Sequence, residues 1–551
     1  MTGHDWFRDA VVYSVDVKTF YDGDGDGWGD FQGLYDRLPY LDRLGVDCVW
    51  LLPFYPSPKR DNGYDVADYY DVDPQLGTLE EFHSFVDAAH ERGIRVMADM
   101  VLNHTSTEHT WFQRAREDPD SRYRDYYLWT DDPESAFETE NFFPDRMNGV
   151  WSYDEVADAY YFHQFYSSQP DLNVANPEVR AEMHEILGFW LDQGVDGFRL
   201  DAATPMISPK GADGERVEEP FELFRELKAT VEAKSEDAVL LAEADDEPEV
   251  LEQYFARGEA IDLMLNFQLN AHLVYALETR DDEPIRRALG VLPDGVEQFG
   301  QWANFLRNHD ELNLGSLPPE MFEDAKARFD DGESWIFERG VRRRLASLLD
   351  GDHDRIACAH SLLFSLPGTP VLFSGDEIGM GDDLSLPERD AVRTPFQWAD
   401  AKNAGFSTAD PRNLIRHPIE DGPYGSRRIN AAAQLPNADS LFNRIVRLIH
   451  ARKLCPEVWK GDHEILSVEP DDVVVTRAVQ GSTALVTAHN IGDEPREVEV
   501  DVEFEDGSAT RLVGWADYEL DGGTCSLSMA PGDYLWLRGD RRGEVVPLGA
   551  P

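Results

Sequence analysis

Three acidic residues stand at the ends of short runs of strand-forming residues. Asp201 ends the run VDGFRLD, Glu243 ends AVLLAE, and Asp310 ends FLRNHD. In a barrel of parallel strands, the carboxyl ends of the strands converge on one rim, where catalytic residues from several strands meet. Three carboxylates at such a rim suit the cleavage of a glycosidic bond, with one as nucleophile, one as general acid/base and one stabilising a cationic sugar.

The neighbours of each acid predict different protonation states. Arg199 lies two residues before Asp201 and on the same face of the strand, so its cation should keep Asp201 ionised, as a nucleophile requires. Glu243 follows an apolar run, and desolvation there would raise its pKa, as suits a general acid. Taken singly, the alternatives are an interior ion pair for Asp201, an ordinary rim carboxylate for Glu243 and a helix cap for Asp310. Their joint occurrence at strand ends favours a catalytic site.

Further polar residues follow the second and third predicted strands. His104 could donate a hydrogen bond to a sugar hydroxyl, whereas Asp99 and Asn103 are assigned to the scaffold of the rim. In the segment DNGYDVADYY, Tyr64 could form a stacking platform and Asp61 could accept a hydrogen bond from a hydroxyl. The alternative for that segment is a polar turn.

A metal site is predicted in the run DGDGDGWGD, residues 22–30. Acidic residues alternate along it and glycine occupies the sixth position, as in the first half of a calcium loop. The twelfth position is Gly33, so the bidentate glutamate of such loops is missing. We predict a structural Ca²⁺ site, with Mg²⁺ as the alternative ion and an acidic turn as the alternative without metal. A catalytic metal is disfavoured, because no set of His and carboxylate ligands accompanies the run.

The elements that would carry these residues alternate between strand and helix as far as about residue 450. Helical patterns such as Leu79–Arg92 and Pro177–Gln193 lie between short apolar runs. Eight strand-plus-helix units in this order predict an α/β fold, a closed (β/α)8 TIM barrel. The predicted strands are Ala10–Val17, Val46–Pro53, Ile94–Leu102, Val195–Leu200, Ala238–Ala242, Ala260–Phe267, Gln301–Arg307 and Thr369–Ser374.

Two parts of the chain depart from that alternation. The stretch after the third strand is rich in aromatic residues, Asp, Asn and Pro and is too long for an ordinary loop, which predicts an inserted subdomain over the rim. Two other long connections, Ser208–Pro220 and Asp310–Val341, could also overhang the rim. The predicted divisions are 1–104 and 170–455 for the barrel, 105–169 for the insertion and 456–551 for a C-terminal domain.

The C-terminal segment has the pattern of an antiparallel β-sandwich domain. Short alternating strands are separated there by Gly, Asp and Asn. It carries no catalytic constellation, so a structural role is favoured over a binding role. The predicted strands are HEILSV, DVVVTRAV, TALVTAHNI, REVEVDVEF, TRLVGW and YLWLRG.

The charge of the chain limits its partners. The 551 residues include 107 acidic and 50 basic side chains, which give a formal net charge of −57. Such a surface repels nucleic acid and anionic lipid, so neither is an expected partner. Its self-repulsion should be relieved by screening, which suggests a high-salt cytoplasm. With no leader pattern and no apolar run near ~20 residues, a soluble cytoplasmic protein is expected.

Several motifs resemble those of glycoside hydrolase family 13, the α-amylase superfamily. They are DMVLNH (Asp99–His104), GFRLD (Gly197–Asp201), Glu243 and NHD (Asn308–Asp310), and the resemblance covers about Asp5–Arg452. The motif QPDLN is similar to the signature of the oligo-1,6-glucosidase-like branch. Within that branch, FLRNHDEL, GVRRRLASLLDGD and RTPFQW most resemble the trehalose synthase group.

This resemblance implies a retaining mechanism through a covalent β-glucosyl enzyme. It implies that Asp201 is the nucleophile, Glu243 the general acid/base and Asp310 the residue that stabilises the transition state. The implied pocket for a single glucosyl unit has His104, Arg199 and His309 along its wall, Asp61 and Arg393 at its closed end, and Tyr64 and Phe165 packed on the sugar ring. The implied calcium ligands are Asp22, Asp24, Asp26, the carbonyl of Trp28 and Asp30.

Three functions follow as alternatives. The first is intramolecular transfer that converts maltose to trehalose, and the second is exo-acting hydrolysis of maltose, sucrose or short malto-oligosaccharides. The third is a non-catalytic relative that serves as a binding or transporter-associated protein, which the intact Asp201, Glu243 and Asp310 disfavour. The expected partners are therefore small α-glucosides such as maltose and trehalose, and the sequence leaves homo-oligomer formation open. No organic cofactor is expected.

Overall fold

Eight parallel strands close into a barrel in the order of the chain. A computed structural model of the protein describes residues 3–135, 139, 141–210, 214, 219–293, 295–505 and 508–541. Each barrel strand lies inside its predicted segment, so the predicted TIM barrel is confirmed. The strands are β1 (Val12–Val15), β2 (Cys48–Leu51), β3 (Arg95–Met100), β4 (Gly197–Leu200), β5 (Val239–Ala242), β6 (Leu263–Leu265), β7 (Gln301–Phe305) and β8 (Thr369–Phe373).

Helices surround the barrel, and several of them begin at side-chain caps. The helix Leu79–His90 has a capping box between Thr78 and Glu81, and Pro177–Asp192 begins after Asn176 with proline in its first turn. No helix in the described part of the chain is long and apolar enough to cross a membrane. The α-helices are Val17–Phe20, Phe31–Leu44, Leu79–His90, Thr110–Glu117, Pro177–Asp192, Ala203–Ile207, Glu222–Lys234, Pro248–Phe255, Phe267–Thr279, Glu283–Val291, Pro319–Phe329, Leu345–Leu348, His353–Ser365, Ala431–Gln434, Leu441–Lys453 and Glu457–Lys460.

Strand β4 shows how alternation builds the barrel. Phe198 and Leu200 belong to the large apolar core that includes the surrounding helices, whereas Gly197 and Arg199 alternate with them. A Cβ atom at Gly197 would lie 2.5 Å from the carbonyl oxygen of Val239 on β5, so only glycine allows the two strands to approach this closely. Arg199 therefore stands on the inner face, at the carboxyl end of the barrel.

The segment after β3 forms a small layer of its own above the rim. Its three strands, Trp129–Thr130, Trp151–Asp154 and Ala159–Phe162, make an antiparallel sheet with the last of them in the middle. The second predicted overhang, Asp310–Val341, holds the helix Pro319–Phe329 and a three-stranded antiparallel sheet. Much of the first, Ser208–Pro220, lies outside the described residues. The three-part division of the chain stays a prediction.

The C-terminal segment forms two antiparallel sheets that enclose one apolar core, as the predicted sandwich requires. Two of its strands, Asp517–Asp521 and Thr524–Met529, are absent from the prediction. The five-stranded sheet has the order Asp462–Leu466, Val473–Gln480, Thr483–Asn490, Tyr534–Asp540, Thr510–Gly514, and the three-stranded sheet has the order Arg496–Asp501, Thr524–Met529, Asp517–Asp521.

Candidate active site

The three acids singled out by the sequence line one cavity at the carboxyl ends of the barrel strands. Its volume is about 410 Å³, within the usual range of small-molecule sites. The backbone N–H of Asp201 donates to the carbonyl of Met100 at 3.0 Å, and that of Glu243 donates to the carbonyl of Leu200 at 3.0 Å. Because these bonds continue the barrel ladder, the positions of both acids are set by the sheet itself.

A single buried guanidinium, that of Arg199, joins the carboxylates. Arg199 on β4 is in register with Asp99 on β3, and its Nη1 donates to Asp99 Oδ1 at 2.8 Å and to Asp201 Oδ1 at 2.5 Å. Its Nη2 lies 2.7 Å from Glu243 Oε2. Asp99 is fully buried and also accepts from Trp50 Nε1 at 3.1 Å. Asp99 is thus part of the scaffold of the rim, and Arg199 is the counter-ion of the site.

The protonation of Asp201 differs from the simple expectation. Burial raises its pKa to about 7, and the charges of Asp99 and Asp310 act in the same direction. Arg199 lowers the pKa but does not offset these three effects together. Arg199 therefore favours the ionised form of Asp201, as expected, but burial and the neighbouring carboxylates oppose it, because several carboxylates share one cation.

Glu243 has the raised pKa that the apolar run before it predicts. Burial raises the pKa to about 7, with smaller contributions from Asp201 and Asp310, whereas Arg199 lowers it. The backbone N–H of Ala202 donates to Glu243 Oε2 at 3.0 Å. Ala202 has a φ of +50°, an uncommon conformation for a residue with a side chain, and this turn directs its N–H to the carboxylate.

Asp310, in contrast to Glu243, is held in its ionised form. Burial favours its neutral form, but the charges of Arg389 and Arg393 lower its pKa well below the usual range. Arg393 Nη2 lies 2.5 Å from Asp310 Oδ1, and Arg389 Nη1 lies 3.4 Å from the same oxygen. One acid of the cavity is therefore firmly ionised, while Asp201 titrates near neutrality.

Of the predicted sugar-binding residues, Asp61, Tyr64, His104 and Phe165 line the cavity, whereas Arg199, His309 and Arg393 do not. Tyr64 donates to Asp99 Oδ2 at 3.0 Å, and its ring is parallel to that of His309 with centroids 5.6 Å apart. His309 Nε2 lies 2.6 Å from the Tyr64 hydroxyl. His104 is buried, which lowers its pKa to about 4 and keeps the imidazole neutral at neutral pH. Neutral rings and a hydroxyl suit a pocket for an uncharged sugar.

The far end of the cavity contains Asp61 and Phe165. Asp61 Oδ2 accepts from Gln169 Nε2 at 3.0 Å, and the Phe165 ring packs 5.2 Å from His104. Arg393 lies behind Asp310 and donates from Nε to the carbonyl of His309 at 2.7 Å. Of the residues predicted to close this end, Asp61 faces the cavity, whereas Arg393 contacts it through Asp310.

An acid and two arginines missed by the sequence complete the wall near Asp310. Arg389 Nε donates to Glu311 Oε2 at 2.6 Å, and Arg339 Nη2 donates to Glu311 Oε1 at 3.2 Å. All three line the cavity. Arg389 lies in the short 3-10 helix Glu388–Val392, whereas Arg339 and Glu311 lie outside strands and helices, although Glu311 directly follows the NHD motif. Its adjacency to Asp310 is the one signal that could have identified the cluster.

The inserted segment covers the cavity and contacts the opposite wall. The Tyr166 hydroxyl donates to Glu388 Oε2 at 2.7 Å, and Arg146 Nε lies 3.0 Å from Glu388 Oε1. The rings of Phe143 and Phe337 pack with centroids 4.6 Å apart. These contacts join the insertion to two separate segments that follow Asp310 in the chain.

The predicted metal loop brings three of its acids together. One carboxylate oxygen from each of Asp22, Asp24 and Asp30 lies within 4.8 Å of the others. Asp26 is exposed and is not among them. Burial raises the pKa of Asp30 to about 6, and the charge of Asp24 adds to this effect. Hard carboxylate oxygens this close fit a Ca²⁺ or Mg²⁺ ion, whose charge would favour their ionised form.

Comparisons with known proteins agree with this geometry. The family profile described as the catalytic domain of alpha amylase matches residues 15–461. The trehalose synthase/amylase TreS of Mycobacterium tuberculosis is 39% identical over 542 residues, covering 97% of this chain and 90% of its own length. The oligo-1,6-glucosidase of Heyndrickxia coagulans is 31% identical over 582 residues, covering 95% and 97%.

The fold comparison extends over the same length. The crystal structure of alpha-amylase from H. orenii superposes with a TM-score of 0.78 and 30% sequence identity, covering 96% of this chain and 99% of that chain. The sequence and fold similarities therefore both extend over nearly the whole chain. We conclude that the chain belongs to the α-amylase family, glycoside hydrolase family 13, as a trehalose synthase-like enzyme.

Proposed function

We propose that this enzyme converts maltose to trehalose by transferring one α-glucosyl unit within the active site. The observation that carries the proposal is the joining of Asp201 and Glu243 by one buried arginine, beside a third acid that stays ionised. Nucleophile, acid/base and cation-stabilising carboxylate are the three groups that a retaining transfer needs. The similarity to a trehalose synthase over nearly the whole chain selects this transfer among the reactions of the family.

The first half of the proposed reaction forms a covalent intermediate. A carboxylate oxygen of Asp201 attacks the anomeric carbon of the non-reducing glucose, and the bond from that carbon to the bridging oxygen breaks. Glu243 gives its proton to the departing oxygen, so free glucose and a β-glucosyl ester of Asp201 result. The ionised Asp310 stabilises the positive charge that develops on the sugar ring.

In the second half of the proposed reaction Glu243 acts as the base, and a new glycosidic bond forms. The anomeric hydroxyl of the released glucose attacks the anomeric carbon of the glucosyl ester and gives its proton to Glu243, while the bond from that carbon to Asp201 breaks and Asp201 leaves as a carboxylate. Two inversions at the same carbon retain the α configuration of the transferred unit, and attack by the α-anomer of glucose then gives the α,α-1,1 disaccharide. We propose that Asp61, Tyr64 and Phe165 hold the transferred unit, together with His104, Arg199, His309 and Arg393.

The product of maltose turnover tests this proposal. The enzyme is incubated with maltose, and maltose, trehalose and glucose are resolved over time, with the Asp201→Ala variant as the control for contaminating activity. We expect trehalose to rise well above free glucose. Glucose as the sole product would contradict the proposal.

A second function, exo-acting α-glucosidase activity, is favoured by one observation. The side chain of Glu243 is 21% exposed, whereas that of Arg199 beside it is 1% exposed. Water can therefore approach the group that would deprotonate an attacking nucleophile. If this reading is correct, maltose gives glucose only, and the same experiment decides between the two functions.

The rate should pass through a narrow maximum near pH 7. Asp201 must be ionised to attack and Glu243 must be protonated to act as an acid, yet both have a pKa of about 7. As the pH falls, Asp201 becomes protonated and can no longer attack. As the pH rises, Glu243 loses the proton that it must donate, so the two limbs of the profile lie close together. Values of kcat/KM, obtained from initial rates across the neutral range, would show the narrow maximum. A broad plateau would contradict this prediction.

We also propose a structural Ca²⁺ ion bound by Asp22, Asp24 and Asp30, with Mg²⁺ as the alternative. The ion would neutralise three close carboxylates and so stabilise the turn they form. The melting temperature should fall on treatment with a chelator and recover with added Ca²⁺. The Asp24→Asn variant should show a smaller response, whereas an unchanged melting temperature in the native protein would contradict the site.

We propose further that the protein works in a high-salt cytoplasm. The formal charge of −57 makes the folded chain repel itself, and added salt screens this repulsion. The melting temperature should therefore rise between low and molar KCl. If it stays constant or falls over that range, this proposal fails.

A further inference from the structure

A second and much smaller cavity lies against His309, a residue that does not line the main cavity. Its volume is about 10 Å³, which is about the space that a single water molecule needs. The segments that follow β1, β7 and β8 line it, and the motif RTPFQW contributes Arg393, Thr394 and Phe396. The proposed mechanism gives Thr394 no role, although it shares this cavity with a predicted sugar-binding residue.

Two side-chain atoms at this small cavity are buried without a hydrogen-bond partner in the described part of the chain, His309 Nδ1 and Thr394 Oγ1. The two residues are 0% and 4% exposed. A third such atom is Ser14 Oγ, and Ser14 on β1 is in register with Phe373 on β8, which lines the cavity. Ordered water is the usual partner of a buried polar atom that the protein leaves unpaired.

The charges beside the small cavity are already balanced. Its lining contains two arginines and one acid, and each of them forms an ion pair. The pairs are Arg344–Asp376 at 2.8 Å, Arg393–Asp310 at 2.5 Å and Lys18–Asp16 at 2.9 Å. Because these described residues leave no charge unpaired that would attract an ion, the site suits a small neutral molecule that both donates and accepts hydrogen bonds. Water has these properties and fits the volume.

The contacts of Tyr64 show which nitrogen of His309 carries the proton. An ionised Asp99 can only accept, so the Tyr64 hydroxyl directs its single proton to Asp99 Oδ2 at 3.0 Å. The Tyr64 oxygen then accepts from His309 Nε2, which lies 2.6 Å away. Burial lowers the pKa of His309 to about 3, so the neutral ring has only this one proton. His309 Nδ1 is therefore an acceptor, and it needs a donor.

We propose that one water molecule bound in this cavity donates a hydrogen bond to His309 Nδ1 and accepts one from Thr394 Oγ1. The water thereby continues a chain of donors that passes through the His309 ring and the Tyr64 hydroxyl and ends at Asp99. Since every proton in this chain points toward the carboxylate, each bond strengthens the next. Thr394 is a positioning residue, because it acts through the water to hold His309 in one tautomer.

The opposite tautomer shows why Thr394 matters to the reaction. If the water is lost, nothing holds the proton of His309 on Nε2, and the ring can carry it on Nδ1 instead. His309 Nε2 would then accept the proton of the Tyr64 hydroxyl, and Asp99 would lose one of its hydrogen bonds. Tyr64 lines the main cavity, so this change reaches the sugar pocket. The effect on the rate rests on the proposed glucosyl transfer, whereas the water and the tautomer do not.

Neutron diffraction tests the arrangement directly. Crystals of the full-length enzyme are exchanged into D2O at neutral pD without substrate, and the deuterium positions are located. Deuterium should be found on Nε2 of His309 and not on Nδ1, and one D2O molecule should lie between His309 and Thr394. A dry cavity, or deuterium on Nδ1, would overturn the inference.

Variants of Thr394 test its effect on the reaction. Thr394→Val removes the hydroxyl but keeps the size and branching of the side chain, so kcat/KM for p-nitrophenyl α-glucoside should fall about three- to tenfold. Thr394→Ser retains the hydroxyl and should stay close to the native value. Thr369→Val is the matched control. Thr369 is equally buried, but it lies at the start of β8 and donates to the carbonyl of Phe7 at 2.7 Å. The control should lose stability without a comparable fall in kcat/KM.

The outcomes separate this inference from the proposed function. If maltose gives only glucose, the proposed function fails, while the deuterium positions still confirm or refute the water and the tautomer of His309. Native kcat/KM in Thr394→Val, or an equal loss in Thr394→Val and Thr369→Val, would overturn the positioning role of Thr394. A loss in Thr394→Ser as large as that in Thr394→Val would overturn it as well.

Discussion

Replacing Asp201 by alanine should lower kcat by about 10⁴-fold or more, because removal of the nucleophile abolishes the covalent route. The side chain is buried at the end of the β4 ladder, and its carboxylate accepts a hydrogen bond from Arg199 at 2.5 Å. Turnover is measured with p-nitrophenyl α-glucoside and with maltose. Substantial residual activity in a preparation free of native enzyme would refute the role of Asp201.

Azide can identify which carboxylate has been removed. In Asp201→Ala, a small anion can occupy the vacated face and attack the anomeric carbon directly, so a single inversion should give β-glucosyl azide. In Glu243→Ala, azide should attack the glucosyl enzyme after it forms and give the α product, since two inversions then occur. The anomer formed by each variant is read by NMR. If Asp201→Ala gave the α product and Glu243→Ala gave the β product, the assigned roles of the two acids would be reversed.

Replacing Arg199 by leucine should remove activity and also destabilise the fold by about 3–5 kcal/mol, as expected when one partner of a buried charge pair is lost. Asp99 is fully buried, and burial raises its pKa to about 6 even beside Arg199. Without the guanidinium, ionised Asp99 would be left with hydrogen bonds but no counter-ion. The midpoint of urea unfolding measures the loss.

The pH dependence of that loss follows from the sign of the pKa shift. In the variant the folded-state pKa of Asp99 rises further above its unfolded value, so ionisation favours the unfolded chain. The stability deficit should therefore be smallest in mildly acidic buffer and grow as the pH rises through and above neutrality. Arg199→Lys, which retains a charge without the two-pronged geometry, should lose less stability. A deficit independent of pH would contradict this account.

Much of the site was predictable because barrel geometry links sequence position to spatial position. Asp201 and Glu243 directly follow their strands, so the convergence of strand ends places them together. Asp310 follows β7 by five residues and still reaches the same cavity. Its distance from the strand end shows that the motif NHD, more than periodicity, identified it.

Other parts of the site depend on tertiary contacts that no local pattern records. Arg389 lies in a short 3-10 helix far along the chain, and its importance arises only where it meets Glu311 and Asp310. The pKa of Asp201 depends on Asp99 and Asp310 as well as on Arg199, and a two-residue motif does not record these more distant charges.

Two strands of the C-terminal domain were not predicted, for a simpler reason. Asp517–Asp521 and Thr524–Met529 contain Asp, Glu and Ser on their exposed positions, residues with low strand preference. Their alternate side chains, including Tyr518, Cys525 and Leu527, nevertheless pack against the sandwich core. Burial on one face was enough to form the sheet despite weak local propensity.

The pairing of Asp99 with Arg199 across β3 and β4 makes enzymatic activity a reporter of correct folding. A slip of one residue between these strands would turn the guanidinium toward the apolar helix layer and leave Asp99 alone in the barrel. A chain trapped in that state could retain normal helix content by circular dichroism and have no activity. In refolding experiments, recovery of turnover should therefore mark the step at which the barrel closes in its native alignment.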